Sequence, residues 1–170
     1  MQSTHNPLST ADEPSVADTL RHGALYLQRH GWTEDQFYAD SGIPAHLRQP
    51  GYPPADILGA LLIAITGHRV DHPSDLRSDT PAGWNLYQRC INALADWIDH
   101  NVDLWHDHTP ADDATHRVCC FNDQPGQDPA EVIEALHQAA AAIDGTTYHV
   151  NIVRYLAAHL ATIPGPGGTR

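Results

Sequence analysis

Apolar residues recur at helical spacing near the start of the chain. Ser15 and Asp18 have the spacing of a capping box, in which each residue satisfies a free backbone N–H at the start of a helix. The apolar positions that follow predict a helix that ends at Gly31: Val16, Leu20, Ala24 and Leu27. The first element is therefore predicted to be an amphipathic helix.

The next segment predicts a short helix and a loop. Thr33 and Gln36 form a second capping box, and the helix that they open is predicted to end at residues 41–42. Residues 42–53 are rich in proline and glycine, which is typical of a loop.

The most apolar stretch of the chain is residues 57–65. It lies within a predicted helix at residues 54–67, where Pro54 suits the first turn and Gly67 the end. Because its apolar residues cover every side of the helix, we expect this helix to be central and buried. The stretch is too short to span a bilayer.

The second half is less regular. Residues 68–83 are predicted to be a loop, and residues 85–100 an amphipathic helix. Residues 101–117 are acidic and rich in histidine, and the short apolar run at 118–121 is expected to be one extended segment or a buried turn.

The last predicted helix with clear boundaries begins at Asp128 and Pro129 and stops at Gly145. Residues 146–153 alternate as a strand would, although the apolar spacing that continues after them favours a final helix. These patterns together predict an all-α protein, a compact bundle of about five helices. We expect a flexible arm at 1–14, a single domain at 15–163 and a disordered tail at 164–170.

Several short motifs occur in an order that resembles a known family. They are Gly23-Ala24-Leu25-Tyr26-Leu27, Arg29-His30-Gly31-Trp32, Leu58-Gly59-Ala60, Phe121-Asn122-Asp123-Gln124-Pro125-Gly126 and Ala130-Glu131-Val132-Ile133. The chain resembles, over about residues 16–142, a family of small uncharacterised helical proteins from high-GC Gram-positive bacteria and their phages. Members often carry Cys at the position of Asp56. The resemblance implies a helical fold but no reaction.

The charge of the chain narrows its possible partners. Its 9 basic residues are all Arg, its 21 acidic residues give a net charge of −12, and there is no Lys. Scattered Arg in an acidic chain argues against binding nucleic acid or an anionic membrane. The lack of Lys excludes Schiff-base and phosphate-loop lysine chemistry. No targeting segment or disulfide framework is recognisable, so a reduced cytoplasmic protein is expected.

One segment contains five potential zinc ligands within 15 residues: His106, His108, His116, Cys119 and Cys120. Zinc prefers four nitrogen or sulfur donors in a tetrahedron. The spacing matches no standard zinc motif, so the alternative is a solvated histidine loop that leads into two buried cysteines. We expect no cofactor, with zinc as the less favoured possibility.

Asn122 and Asp123 are the candidate binding residues. A carboxylate beside an amide on a loop can bind a polar ligand. The alternative is a turn, because Asn and Asp bond to nearby backbone and the following Pro125-Gly126 is a common turn pair.

Two functional hypotheses follow. The favoured one is a non-catalytic binding or regulatory protein that acts through a protein partner or through self-association, because no complete catalytic motif is present. The other is a small metal-dependent enzyme, hydrolase-like, that uses residues 106–123. A thiol nucleophile paired with His116 is less favoured, because an apolar setting makes thiols inert.

Overall fold

The computed structural model describes residues 14–48, 51–102 and 113–160. These ranges contain six α-helices and no strand. They are α1 (Val16–His30), α2 (Ile57–Thr66), α3 (Pro73–Asp79), α4 (Pro81–Asn101), α5 (Ala114–Asn122) and α6 (Pro129–Leu160). The all-α class is confirmed, with six helices instead of about five.

The start and end of α1 are as predicted. The Ser15 hydroxyl accepts a hydrogen bond from the Asp18 backbone N–H at 3.0 Å, and the helix ends at Gly31, whose φ of 96° suits glycine. One face of α1 packs against α2 and α6.

Helix α2 lies at the centre of the fold. Every residue from Ile57 to Ile63 is buried, and the helix contacts α1, α4 and α5, which confirms the predicted central helix. Its predicted start is wrong, because Pro54 lies before the helix, which begins at Ile57 with Asp56 as its N-cap. The Asp56 carboxylate accepts a hydrogen bond from the Gly59 N–H at 2.6 Å and so caps the helix.

The short helix predicted after Thr33 is wrong. The chain there makes bends and pairs its backbone with Ala55 instead. Thr33 N–H donates to the Ala55 carbonyl at 3.1 Å, and Ala55 N–H donates to the Gly31 carbonyl at 3.2 Å. Bonds to a distant segment therefore replace the local bonds that a helix needs.

The loop predicted at residues 68–83 contains α3 and the start of α4. Both prolines that suggested a loop occupy the first turns of these helices, where the missing N–H costs little. Leu76 of α3 is buried and attaches this short helix to the core.

The extended segment or buried turn predicted at residues 118–121 is also wrong. Asp113 caps α5, and Val118 and Phe121 pack into the core from one side of this helix. A single helix, α6, replaces both the stop at Gly145 and the possible strand at residues 146–153. Gly145 keeps a helical backbone, which glycine allows at modest cost.

All six helices contribute residues to one hydrophobic core. The predicted arm lies, except for Pro14, outside the described residues, and so does the tail at 164–170. The single domain at 15–163 stays a prediction. Within the described ranges, no helix combines the length and hydrophobicity needed to cross a membrane.

Candidate functional site

Three segments meet at a group of polar side chains that we call the polar junction: Trp32, Asp56, Asn122 and Asp123. Trp32 belongs to the loop after α1, Asp56 caps α2, and Asn122 and Asp123 end α5. Asn122 is 2% exposed and is one of few buried polar residues in the described structure. Such a residue requires internal hydrogen bonds.

The Asn122 side chain uses its full hydrogen-bonding capacity inside the chain. Its oxygen accepts from the Trp32 indole N–H at 2.8 Å and from the Ile57 backbone N–H at 3.2 Å. Its NH₂ group donates to the Thr33 carbonyl at 3.2 Å and to the Asp123 carboxylate at 2.7 Å. An amide offers two acceptor and two donor positions. Asn122 thus joins α5 to α2 and to the loop.

Asp123 lies at the half-buried edge of the polar junction. Its carboxylate also accepts from the Asp35 backbone N–H at 2.9 Å, which fixes a residue with a positive φ of 61°. The chain then turns at Gly126, as the turn interpretation predicts. Of the two candidate binding residues, Asp123 is the one that a ligand can reach.

Within the polar junction, Asp56 is the carboxyl group whose pKa is shifted by its surroundings. It is 8% exposed. Burial raises the pKa of Asp56 to about 7, the hydrogen bond from Gly59 opposes the rise, and the nearby Asp123 carboxylate adds to it. Burial and then the nearness of Asp56 also raise the pKa of the Tyr87 hydroxyl. The junction therefore holds a carboxyl group that gains or loses a proton near neutral pH.

Helix α5 brings two of the five candidate zinc ligands together. The Cys120 sulfur lies 3.5 Å from Nε2 of His116, one turn earlier on the same helix. Cys119 lies on a different side of α5, because consecutive helical residues are about 100° apart. Burial, and then the charges of Asp56 and Asp123, raise the pKa of Cys119 to about 11.

The other two candidate ligands, His106 and His108, lie outside the described residues. Among the residues that are described, no three His, Cys, Asp or Glu side chains form a group able to hold a metal ion. Neither cysteine of α5 is fully buried, in contrast to the loop-and-buried-thiol alternative.

A second feature lies in the loop between α1 and α2. Three large apolar side chains are well exposed, Ile43 by 43%, Leu47 by 64% and Tyr52 by 48%, and we call them the apolar patch. Among the residues whose burial the structure describes, no other large apolar side chain is exposed to this degree. All three lie in a segment that the sequence predicts only as a loop, and which includes a 3₁₀ turn at Ala45–Leu47.

The apolar patch is held in place by specific contacts. The Tyr52 hydroxyl donates to the Gly67 carbonyl at 2.9 Å, and its ring packs edge-on against Tyr26 with centroids 6.0 Å apart. Arg48 donates from Nε to the Ile43 carbonyl at 2.7 Å. The exposed side chains therefore stand on a segment tied to α1 and α2.

Charges beside the apolar patch cancel locally. Arg48 pairs with Asp71 at 3.1 Å, while Arg69 pairs with both Asp71 and Asp40. All 21 acidic residues of the chain lie outside residues 41–55. The patch is thus a nearly neutral area on a strongly acidic protein.

Sequence reasoning singled out neither Asp56 as a buried carboxyl group nor the apolar patch. The lack of acidic residues at 41–55 was no signal for the patch, because other stretches, such as residues 80–95, also lack them. The burial of Asp56 depends on segments far apart in the chain and had no local signal.

The fold and the polar junction define a small all-α protein built around a buried central helix. The chain belongs to a family of unknown function, DUF6197, whose model matches residues 11–142. That match confirms membership of a family without an assigned function. No curated protein and no solved structure gives a significant match to the chain.

Proposed function

We propose that this protein is a non-catalytic binding module that docks a protein partner on the apolar patch. The observation that carries the proposal is the concentration of exposed apolar side chains in one short segment without acidic residues. Scattered single exposed apolar residues are ordinary, whereas three large ones within residues 43–52 of one loop favour an interaction site.

The geometry of the patch supports binding because Tyr52, one of its three side chains, is held in place by contacts within the chain. Tyr52 is fixed by its hydroxyl bond and by its contacts with the rings of Tyr26 and His30. A partner therefore loses less affinity to the ordering of this surface than it would on a flexible loop. Tyrosine is also enriched among the residues that dominate binding energy.

A photo-crosslinking amino acid at position 47 tests the proposal in cells that naturally make the protein. We expect a discrete adduct at position 47, loss of that adduct when Ile43→Ser is added, and no equivalent adduct from exposed position 137 on α6. The partner captured in the adduct is then identified and purified. It should bind the wild-type chain at least tenfold more tightly than it binds the Leu47→Ser variant. Equal binding to both would contradict the proposal.

One observation favours a second candidate, a zinc-dependent function that uses α5. Zn–N distances of about 2.0–2.1 Å and Zn–S distances of about 2.3 Å place tetrahedral N and S ligands about 3.5 Å apart. His116 Nε2 and Cys120 Sγ have this separation, 3.5 Å. They would supply two ligands, and the sequence offers His106 and His108 for the others.

Elemental analysis of the purified protein tests this candidate. A zinc site predicts about one zinc per chain and a melting temperature that falls on chelation, because metal binding contributes to folding. His116→Ala and Cys120→Ala should abolish zinc binding, and Cys119→Ala is the matched control on the other side of α5. If the purified chain contains no metal and the chelator does not change its melting temperature, the zinc candidate is wrong.

A further inference from the structure

The two adjacent cysteines of α5 lie in different surroundings. The sequence predicts an apolar setting for both, which would make both thiols inert. In the structure, the Cys120 sulfur lies 3.5 Å from Nε2 of His116, one helical turn earlier. Cys119 lies on a different side of the helix, and among the described residues no hydrogen bond joins it to a histidine. One thiol therefore has a neighbouring base and the other does not.

The thiol with the neighbouring base lies near the surface. His116 is exposed and Cys120 is half-buried. The third cysteine of the chain, Cys90, is fully buried in the core. Reactive cysteines in proteins are partly exposed and lie beside a group that can take up the thiol proton. Of the three cysteines, Cys120 is the one that meets both conditions.

We propose that Cys120 is a nucleophile toward small disulfides and that His116 is its base. In this reaction the Cys120 sulfur attacks one sulfur of a disulfide R–S–S–R, and the S–S bond of the reagent breaks as the new S–S bond forms. The thiol proton passes to Nε2 of His116 and then to the leaving sulfur, which departs as the thiol R–SH. Cys120 is thereby oxidised to a mixed disulfide and the leaving half of the reagent is reduced, so the disulfide itself is the only oxidant.

The charge of the chain and the position of the thiol narrow the class of disulfide. A net charge of −12 repels anionic reagents, and a half-buried sulfur favours a small group. The expected reagent is therefore a small disulfide without net negative charge, such as cystine. The product is a reversible modification of α5. It goes beyond the proposed docking function, which uses the apolar patch and no residue of α5.

Reaction of the full chain with dithiodipyridine, an uncharged disulfide whose released thiol absorbs light, tests the inference. The chain is first treated with a chelator, so that a bound metal cannot mask the thiols. We expect about one rapidly reacting thiol per chain, which Cys120→Ser removes and Cys119→Ser retains. His116→Gln should slow the reaction at Cys120 by about tenfold or more, because a positioned base contributes at least this much to proton transfer.

Two controls separate a chemical role of His116 from a structural one. The melting temperature of His116→Gln and the reaction rate of its Cys119 should match those of the wild type. Incubation with cystine should add one half-cystine to the chain, which peptide mapping places on Cys120 and a reductant removes. Equal rates at Cys119 and Cys120 overturn the inference, and so does an unchanged rate at Cys120 in His116→Gln. Neither result alters the crosslinking expected at position 47, so the proposed function is tested separately.

Discussion

The Trp32 indole N–H donates to the Asn122 side-chain oxygen at 2.8 Å, and this bond joins residues 90 positions apart. Asn122→Ala leaves both the Trp32 N–H and the Ile57 N–H without their acceptor. An unpaired buried donor costs about 1–3 kcal/mol, so we expect a loss of about 2–4 kcal/mol in the free energy of unfolding. Chemical denaturation measures it.

The matched control for that loss is Asn92→Ala, at an exposed asparagine of α4. Exposed substitutions of this kind stay within about 0.5 kcal/mol. If the two variants unfold at the same denaturant concentration, Asn122 does not hold the junction together.

Gly59 is required by the close approach of α2 to the loop before it. A Cβ atom added at Gly59 would lie 2.2 Å from the Phe37 carbonyl oxygen, which is backbone and cannot rotate away. We expect Gly59→Ala to destabilise the fold by at least about 1–3 kcal/mol, as overpacked cores do. Gly42→Ala is the control, because nothing lies within 4 Å of its added Cβ. Thermal melts of both variants measure the difference.

Asp56 makes stability depend on pH. Burial raises the pKa of Asp56 from the ordinary 3.8 to about 7 in the folded protein. A carboxyl group with a raised pKa stabilises the fold fully below pH 3.8, and this stabilisation is lost as the pH rises through 7. Asp56→Asn keeps a good helix cap without a titrating group. We expect the free energy of unfolding of the variant to exceed that of the wild type by about 2–4 kcal/mol at pH 8.

The advantage of Asp56→Asn should shrink steadily as the pH is lowered from 8 to 5. Denaturation of both proteins at several pH values gives the difference directly and cancels every contribution that the two proteins share. A difference that stays constant with pH would show that the buried carboxyl group is not the cause.

Truncation of a core side chain in the central helix α2 should cause a large loss of stability. Leu61 is fully buried and packs against α1 at Gly23. Leu61→Ala should cost about 2–5 kcal/mol through lost burial and the cavity that it leaves. Leu47→Ala makes the same change at a leucine that is 64% exposed and should alter the melting temperature little.

Local signals explain what the sequence predicted correctly. The Ser15 cap, the Gly31 end and the apolar periodicity between them all lie within α1. The apolar residues of α2 likewise predicted its central position without knowledge of its neighbours. Such features depend on residues a few positions apart, so a sequence shows them.

The errors arose where distant segments compete with local preference. The capping box at Thr33 and Gln36 was overridden because Ala55 takes the backbone bonds of that loop. Short helices such as α3 offer few apolar positions to recognise. The polar junction depends on hydrogen bonds from Trp32 and Ile57 to Asn122, and no spacing pattern along the chain predicts these contacts.

The long separation between Trp32 and Asn122 has a kinetic consequence. Chain closure over 90 residues carries an entropy cost that local helix caps avoid, so we expect the polar junction to form late in folding. Interactions that form after the transition state slow unfolding but leave the folding rate nearly unchanged. We therefore expect the bond between these two side chains to affect the lifetime of the native state more than the time needed to reach it.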